Sequence, residues 1–442
     1  MSGILRLRLS ALYALQFAVW GCYLSCFGQL LGASGLGASI QWFYAAVGIV
    51  SLFTPVLMGY VADRFIASVR LLGLCHLGAS VVMTAAWVYA ASRPTMDFGA
   101  FFPLYLGFLA FYMPTMALSN TTAFGILKAN GLRPVDHFPS IRIWGTIGFV
   151  AAMWFVNSAY FYDGSFGFTL DDSVPAARFR FQYTSMQLLS AAVFGLLTAI
   201  YTLTLPRVEP TAPKRGPGLP ILRSFALFRD PQVRNFLIFA VFAGVCLQIS
   251  NGYAIPYINH FMADARYAGS FAAGNATMLF SLSNISEALC VLLVGVSLKR
   301  FGVKWVIALA LLAWSLRFLL LGAGNPGDGL WLLVGSMLVY GIGFNFFNIA
   351  GNIYMDSVSD STNRGFGQGL LMMMSNGIGA SCGMIAAGAV VNHYCRWQPV
   401  STPGGTVMPL FMGDWTAPWL IFAAYALAVT VLICLFLRNS KT

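Results

Sequence analysis

The chain has 442 residues, 58% of them hydrophobic and only 9% charged, with a mean hydropathy of +0.75. A soluble domain carries about 25% charged residues, so this composition excludes a soluble fold and leaves a polytopic α-helical membrane protein. The net charge of +11 does not point to nucleic acid, because basic residues of membrane proteins collect in cytoplasmic loops.

A membrane-spanning helix needs about 20 mostly apolar residues. The opening stretch "MSGILRLRLSALYALQFAVWGCYLSCFGQLLG" lacks a clean small-residue cleavage site and is long enough to span, so it reads as the first helix and not as a signal peptide. In chain order, twelve spans are predicted over 10–31, 41–62, 71–91, 99–123, 141–161, 184–204, 234–257, 271–297, 303–323, 329–353, 366–392 and 415–437. Between the sixth and seventh lies one long polar connection, "PRVEPTAPKRGPGLPILRSFALFRDPQVR", whose patch Phe225-Ala226-Leu227-Phe228 is apolar enough to rest on a membrane surface. The expected organisation is an N-terminal six-helix bundle over 1–206, a cytoplasmic linker over 207–233 and a C-terminal six-helix bundle over 234–442.

Orientation follows from the basic residues. With the N-terminus inside, the cytoplasmic side receives Arg6, Arg8, Arg64, Arg70, Lys128, Arg133, the central loop's basic residues, Lys299, Arg300, Lys304, Arg364, Arg438 and Lys441. The outside receives only Arg93, Arg178, Arg180, Arg266 and Arg396. That asymmetry predicts both termini in the cytoplasm. A faint repeat relates the halves. "GYVADRF" ends the second helix with Gly59, Asp63 and Arg64, and "GVSLKRF" ends the eighth with Gly295, Lys299 and Arg300. Two six-helix halves, each with a charged tight turn after its second helix, is the pattern of the major facilitator fold, in which solute binds near the midplane between the halves.

The eight cysteines are Cys22, Cys26, Cys75, Cys246, Cys290, Cys382, Cys395 and Cys434. Their spacing fits no metal pattern, and they read as small thiols, mostly in apolar runs. The histidines His76, His137, His260 and His393 are scattered. No metal, no cofactor and no enzymatic activity are expected.

Polar residues inside the spans carry the functional signal. Of fourteen acidic residues, only Glu287 lies deep in an apolar run, where a charge costs about 2.5–3.5 kcal/mol even on lenient scales. Asn284 stands three residues before it on the same face. On the seventh helix Gln248 and Asn251 repeat that spacing in "CLQISNGY". Either pair alone would serve as a helix clamp; two pairs on neighbouring helices point to a polar cavity. The fifth helix opens with "FPSIRIWGTIGF", where Pro139 is a natural start and Arg142, Thr146 and Phe149 share one face. Arg142 either lines the cavity or snorkels to the surface. On the tenth helix Tyr340, Phe344 and Asn348 form an aromatic stripe, either packing or a wall for a flat ring. Arg317 in the ninth helix is also deep and is expected to pair or to bond backbone carbonyls. An aromatic wall, amides and a carboxylate suit a base joined to a sugar. They also suit a glycoside or an aromatic amine, so the residues alone stop at a polar, partly aromatic small solute.

Several stretches together carry a resemblance. "LQFAVWG", "YMPTMALSNT", "DHFPSIRIWGTIGF", "LQISN", "ISEALC" and "FNFFNIAG", spread in order over nearly the whole chain, resemble the bacterial nucleoside–proton symporters of the major facilitator superfamily. The resemblance implies a multi-pass protein of the plasma (inner) membrane, with nucleoside and protons as its partners besides membrane lipid, acting as a monomer. It implies nucleoside contacts at Arg142, Thr146, Phe149, Gln248, Asn251, Glu287, Tyr340 and Phe344. Two positions depart from the family pattern: Asn284 stands where the family has glutamine, and Asn345 where it has an aspartate linked to proton coupling. An amide does not titrate. Either Glu287 carries the proton alone, or the chain is a facilitator; a carrier for another aromatic or glycosidic solute is the remaining alternative.

Overall fold

The computed structural model describes residues 2–172, 174–207, 228–358, 369–402 and 407–437. Most of the central loop, with the patch at Phe225-Ala226-Leu227, lies outside them, as do Arg364, Arg438, Lys441 and the side chains of Asp63, Arg64 and Asp356.

Ten helices among the described residues are long and apolar enough to cross a membrane. One of these, Ala276–Ala323, turns at Gly302, whose φ of 75° and ψ of 169° are non-helical. Only glycine adopts such a backbone cheaply, so this helix is two spans, 276–301 and 303–323. The shorter apolar helix Met186–Thr202 has 17 residues, about 26 Å at 1.5 Å per residue, close to the hydrocarbon thickness. Among the described residues the result is twelve spans: α1 (Gly3–Tyr23, continued by Phe27–Ala33), α2 (Ile40–Arg64), α3 (Ser68–Ala91), α4 (Phe98–Ala129), α5 (Pro134–Ser158), α6 (Met186–Thr202), α7 (Pro231–His260), α8 and α9 (the two arms of Ala276–Ala323), α10 (Leu330–Val358), α11 (Gly369–Tyr394) and α12 (Thr416–Phe436).

Helix starts are set by local chemistry. Ser2 accepts from the backbone N–H of Leu5, Asp97 from that of Ala100, and Asp230 from those of Gln232 and Val233. Such caps satisfy amides that have no partner within the helix. The start of α5 differs from the expected one. Pro134 occupies its first turn, and Pro139 lies inside the helix. The end differs too. The apolar run to 161 leaves the helix at Ser158, and Ala159–Tyr162 (β1) pairs antiparallel with Ser165–Phe168 (β2) across Asp163-Gly164. Both turn residues have positive φ, 48° and 71°, as the Asp-Gly type I′ hairpin requires. A second two-stranded sheet joins Cys395–Ser401 (β3) and Val407–Gly413 (β4). Within α11, Met373–Gly379 is a π-helical turn, a distortion common at functional sites.

The chain groups into two compact units, Met1–Arg215 with Gly404–Pro409, and Gly216–Pro403 with Leu410–Thr442. In the first, α1 packs on α5 and α6, and α3 on α4 and α6. Its core includes Leu9, Leu12, Tyr13, Phe17, Leu72 and Ile126. In the second, α8 and α9 pack on α10 and α12, while α7 packs on α11. Beside the first hairpin, Arg180 is fully buried and ion-paired to Asp172.

Candidate functional site

In the first unit, α5 carries Arg142, Thr146 and Phe149, all half-buried. The Arg142 guanidinium lies 4.1 Å over the ring of Phe17 on α1, a cation–π contact, so Arg142 is held inward against a neighbouring helix. Phe149 packs against the core cluster that contains Phe17 and Tyr13. Around them runs a polar and aromatic seam. Tyr13 donates to Asn120 Oδ1 at 2.6 Å, and Tyr112 donates to the Gln16 carbonyl at 2.9 Å. Trp20 meets Phe17 and Tyr112 edge-on. The signal for Phe17 was its place between Gln16 and Trp20 in "LQFAVWG".

In the second unit, the expected residues gather on α7, α8 and α10. Asn251 donates to Gln248 Oε1 at 3.5 Å, so this amide pair bonds within its own helix. Asn284 and Glu287 are half-buried on α8. Tyr340 and Phe344 on α10 are parallel, with centroids 5.9 Å apart and planes within 7°. Asn348 turns back to donate to the Phe344 carbonyl at 2.9 Å. It therefore belongs to the helix behind the wall.

What brings α8 and α10 together is visible in two contacts. At Gly341, an added Cβ would fall 2.5 Å from the Ser286 carbonyl carbon, so only glycine permits this approach. One helical turn further, Asn345 is buried and donates to the backbone carbonyl of Glu287 at 2.5 Å. Thus Asn345 ties α10 to the backbone that carries the deep carboxylate. Tyr340 in turn lies within electrostatic reach of both Glu287 and Arg317. Behind the wall, Trp314 meets Tyr340 edge-on at 5.4 Å. A small cavity lined by Gly244, Leu247, Trp314, Phe344, Asn348 and Asn376 adjoins Phe344. Asn376 belongs to the π-helical turn of α11 and was not singled out from the sequence.

The family model of the nucleoside H+ symporter matches residues 3–442. The chain belongs to that family. It is a nucleoside transporter and not an enzyme. It is 34% identical to the xanthosine permease of Escherichia coli (strain K12), over 96% of this chain and 94% of the relative. It is 35% identical to the nucleoside permease NupG of the same organism, with the same coverage of both chains. The crystal structure of NupG superimposes with a TM-score of 0.82 over 99% of this chain and all of that one, at 33% identity. The xylose transporter XylE from E. coli shares the fold alone, with a TM-score of 0.59 at 11% identity over 99% of this chain and all of that one. Gly59 and Gly295 have open space where a side chain would begin, and Lys299 and Arg300 are exposed beside Gly302.

Proposed function

We propose that this transporter carries nucleosides inward across the inner membrane, both termini cytoplasmic, as a monomer of two six-helix halves joined by the 207–233 linker. Glu287 accepts hydrogen bonds from ribose hydroxyls and takes up the co-transported proton. Phe149, Tyr340 and Phe344 flank the base, while Gln248, Asn251 and Asn284 bond its polar edges. The family resemblance adds Arg142 and Thr146 to the solute contacts. The turn residues Gly59, Asp63, Arg64, Gly295, Lys299 and Arg300 govern the helix ends that shift during the cycle.

The observation that carries this reading is the parallel Tyr340–Phe344 pair on α10, immediately followed by Asn345, which is bonded to the Glu287 backbone. An aromatic face beside a carboxylate matches a base joined to a sugar. The neutral amide of Asn345 favours a second reading, uncoupled facilitation, since Glu287 is then the sole deep acid available to the cycle. Competition against labelled uridine uptake in proteoliposomes tests the substrate class. Nucleosides should compete, while free nucleobases and alkyl glycosides should not. Equal competition by glycosides would overturn the assignment.

A further inference from the structure

Arg317 on α9 is fully buried, and among the described residues no carboxylate forms an ion pair with it. Burying an unpaired charge is costly, so its surroundings should compensate, and they do so in a particular pattern. Nε donates to Ser250 Oγ on α7 at 3.0 Å. One terminal nitrogen donates to Ser283 Oγ on α8 at 3.3 Å and to the Ser336 carbonyl on α10 at 2.5 Å. The other lies 3.7 Å from Met337 Sδ. The guanidinium carbon sits 4.8 Å over the ring of Tyr340 and 5.8 Å over that of Phe280.

The partners are placed with respect to the nucleoside residues. Ser250 immediately precedes Asn251, and Ser283 immediately precedes Asn284. Successive helical residues point about 100° apart, so Arg317 holds each helix beside its amide while the amide faces elsewhere. Tyr340 is gripped by its ring face. One planar fork therefore binds three helices, each one residue from, or directly at, a residue of the site. An ammonium group carries the same charge but lacks the fixed fork. We infer that Arg317 is the positioning residue of the nucleoside site: screened from solute, it sets the register of Asn251, Asn284 and Tyr340 relative to one another. This rests on the reading of those three residues as nucleoside ligands.

The test uses the purified full chain in proteoliposomes with labelled uridine, measuring KM and turnover for each variant, with melting temperature as the folding control. Arg317→Lys should raise KM by about tenfold, as expected when roughly one charged hydrogen bond's worth of alignment is lost. Turnover should change far less. The double variant Ser250→Ala/Ser283→Ala should raise KM in the same direction by about threefold, because each lost bond is weaker than the whole fork. Arg317→Lys combined with Tyr340→Ala should raise KM by less than the product of the single effects, since the two act on one element. A folded Arg317→Lys carrier with wild-type KM would overturn the inference, as would a loss confined to yield and turnover. So would fully multiplicative effects with Tyr340→Ala. Should Arg317→Lys fail to fold, the serine pair decides: an unchanged KM overturns the inference and a raised one supports it. Asn251→Ala and Tyr340→Ala alone serve as references. If neither moves KM, the nucleoside reading of the site fails and the inference falls with it. If both do and the Arg317 and serine variants do not, only the inference fails.

Discussion

Asn345→Asp exchanges a hydrogen-bond donor for an acceptor at the contact between α10 and the Glu287 backbone. In the present chain the amide donates to that carbonyl at 2.5 Å from a buried position. A carbonyl has two lone pairs, and the α-helix uses one, so simple deletion by Asn345→Ala costs about 0.5–1.5 kcal/mol, the net worth of one neutral hydrogen bond. With aspartate the outcome depends on protonation. The protonated acid can still donate, and the bond survives. The ionised form sets a buried charge against a carbonyl oxygen and costs about 3–5 kcal/mol more, the penalty of an uncompensated buried charge. The variant's stability and nucleoside affinity should therefore hold at low pH and fall as pH rises, with a slope absent from the wild type and from Asn345→Ala. A second proton-binding group beside Glu287 should also increase accumulation driven by a fixed inward pH gradient. Melting temperature against pH in detergent and gradient-driven uridine accumulation in proteoliposomes read both effects. A well-folded Asn345→Asp carrier with the wild-type profile in both assays would refute this reasoning.

Phe344→Ala and Phe149→Ala should weaken binding of uridine by about 1–3 kcal/mol, the worth of a base–aromatic stack, while leaving competition by free ribose nearly unchanged. Equal losses for both would mean that these rings only pack helices. Gly341→Val should lower the melting temperature through a clash with the Ser286 backbone of about 1–3 kcal/mol; an unshifted melting curve would show that α8 and α10 can separate freely there. Asp172→Asn breaks a pair whose arginine is fully buried. It should destabilise the carrier by about 3–5 kcal/mol with KM unchanged, measured by thermal unfolding and uridine uptake. A changed KM would tie this loop to the transport cycle.

Much of this molecule is legible from the sequence because the membrane is an unforgiving solvent. A backbone in lipid must bond to itself, so each apolar run of about 20 residues had to be a helix, and all twelve predicted spans have counterparts. The same physics exposed Glu287, Asn284, Gln248 and Asn251, since polar side chains at that depth are costly. What stayed hidden depends on contacts between residues that look ordinary. Ser250, Ser283 and Ser336 gave no hint that one arginine would bind all three helices. Gly341 is one glycine among 45, distinguished only by the backbone that faces it. The hairpin at 159–168 also leaves a sign in the sequence. Its strands are apolar enough to extend the fifth helix, and the sign was the Asp163-Gly164 pair, whose left-handed geometry a helix cannot use.

The most direct test of nucleoside import through Glu287 is labelled-uridine accumulation by the wild type and Glu287→Gln, both shown to be folded, in proteoliposomes with and without an imposed inward proton gradient. The gradient should drive uridine above its equilibrium level in the wild type. Glu287→Gln should abolish or greatly weaken uptake, because each charged hydrogen bond to a hydroxyl is worth about 1.5–3 kcal/mol and the deep titratable group is gone. Wild-type accumulation by Glu287→Gln would contradict the role given to Glu287, and wild-type uptake that only equilibrates, with or without the gradient, would contradict proton coupling.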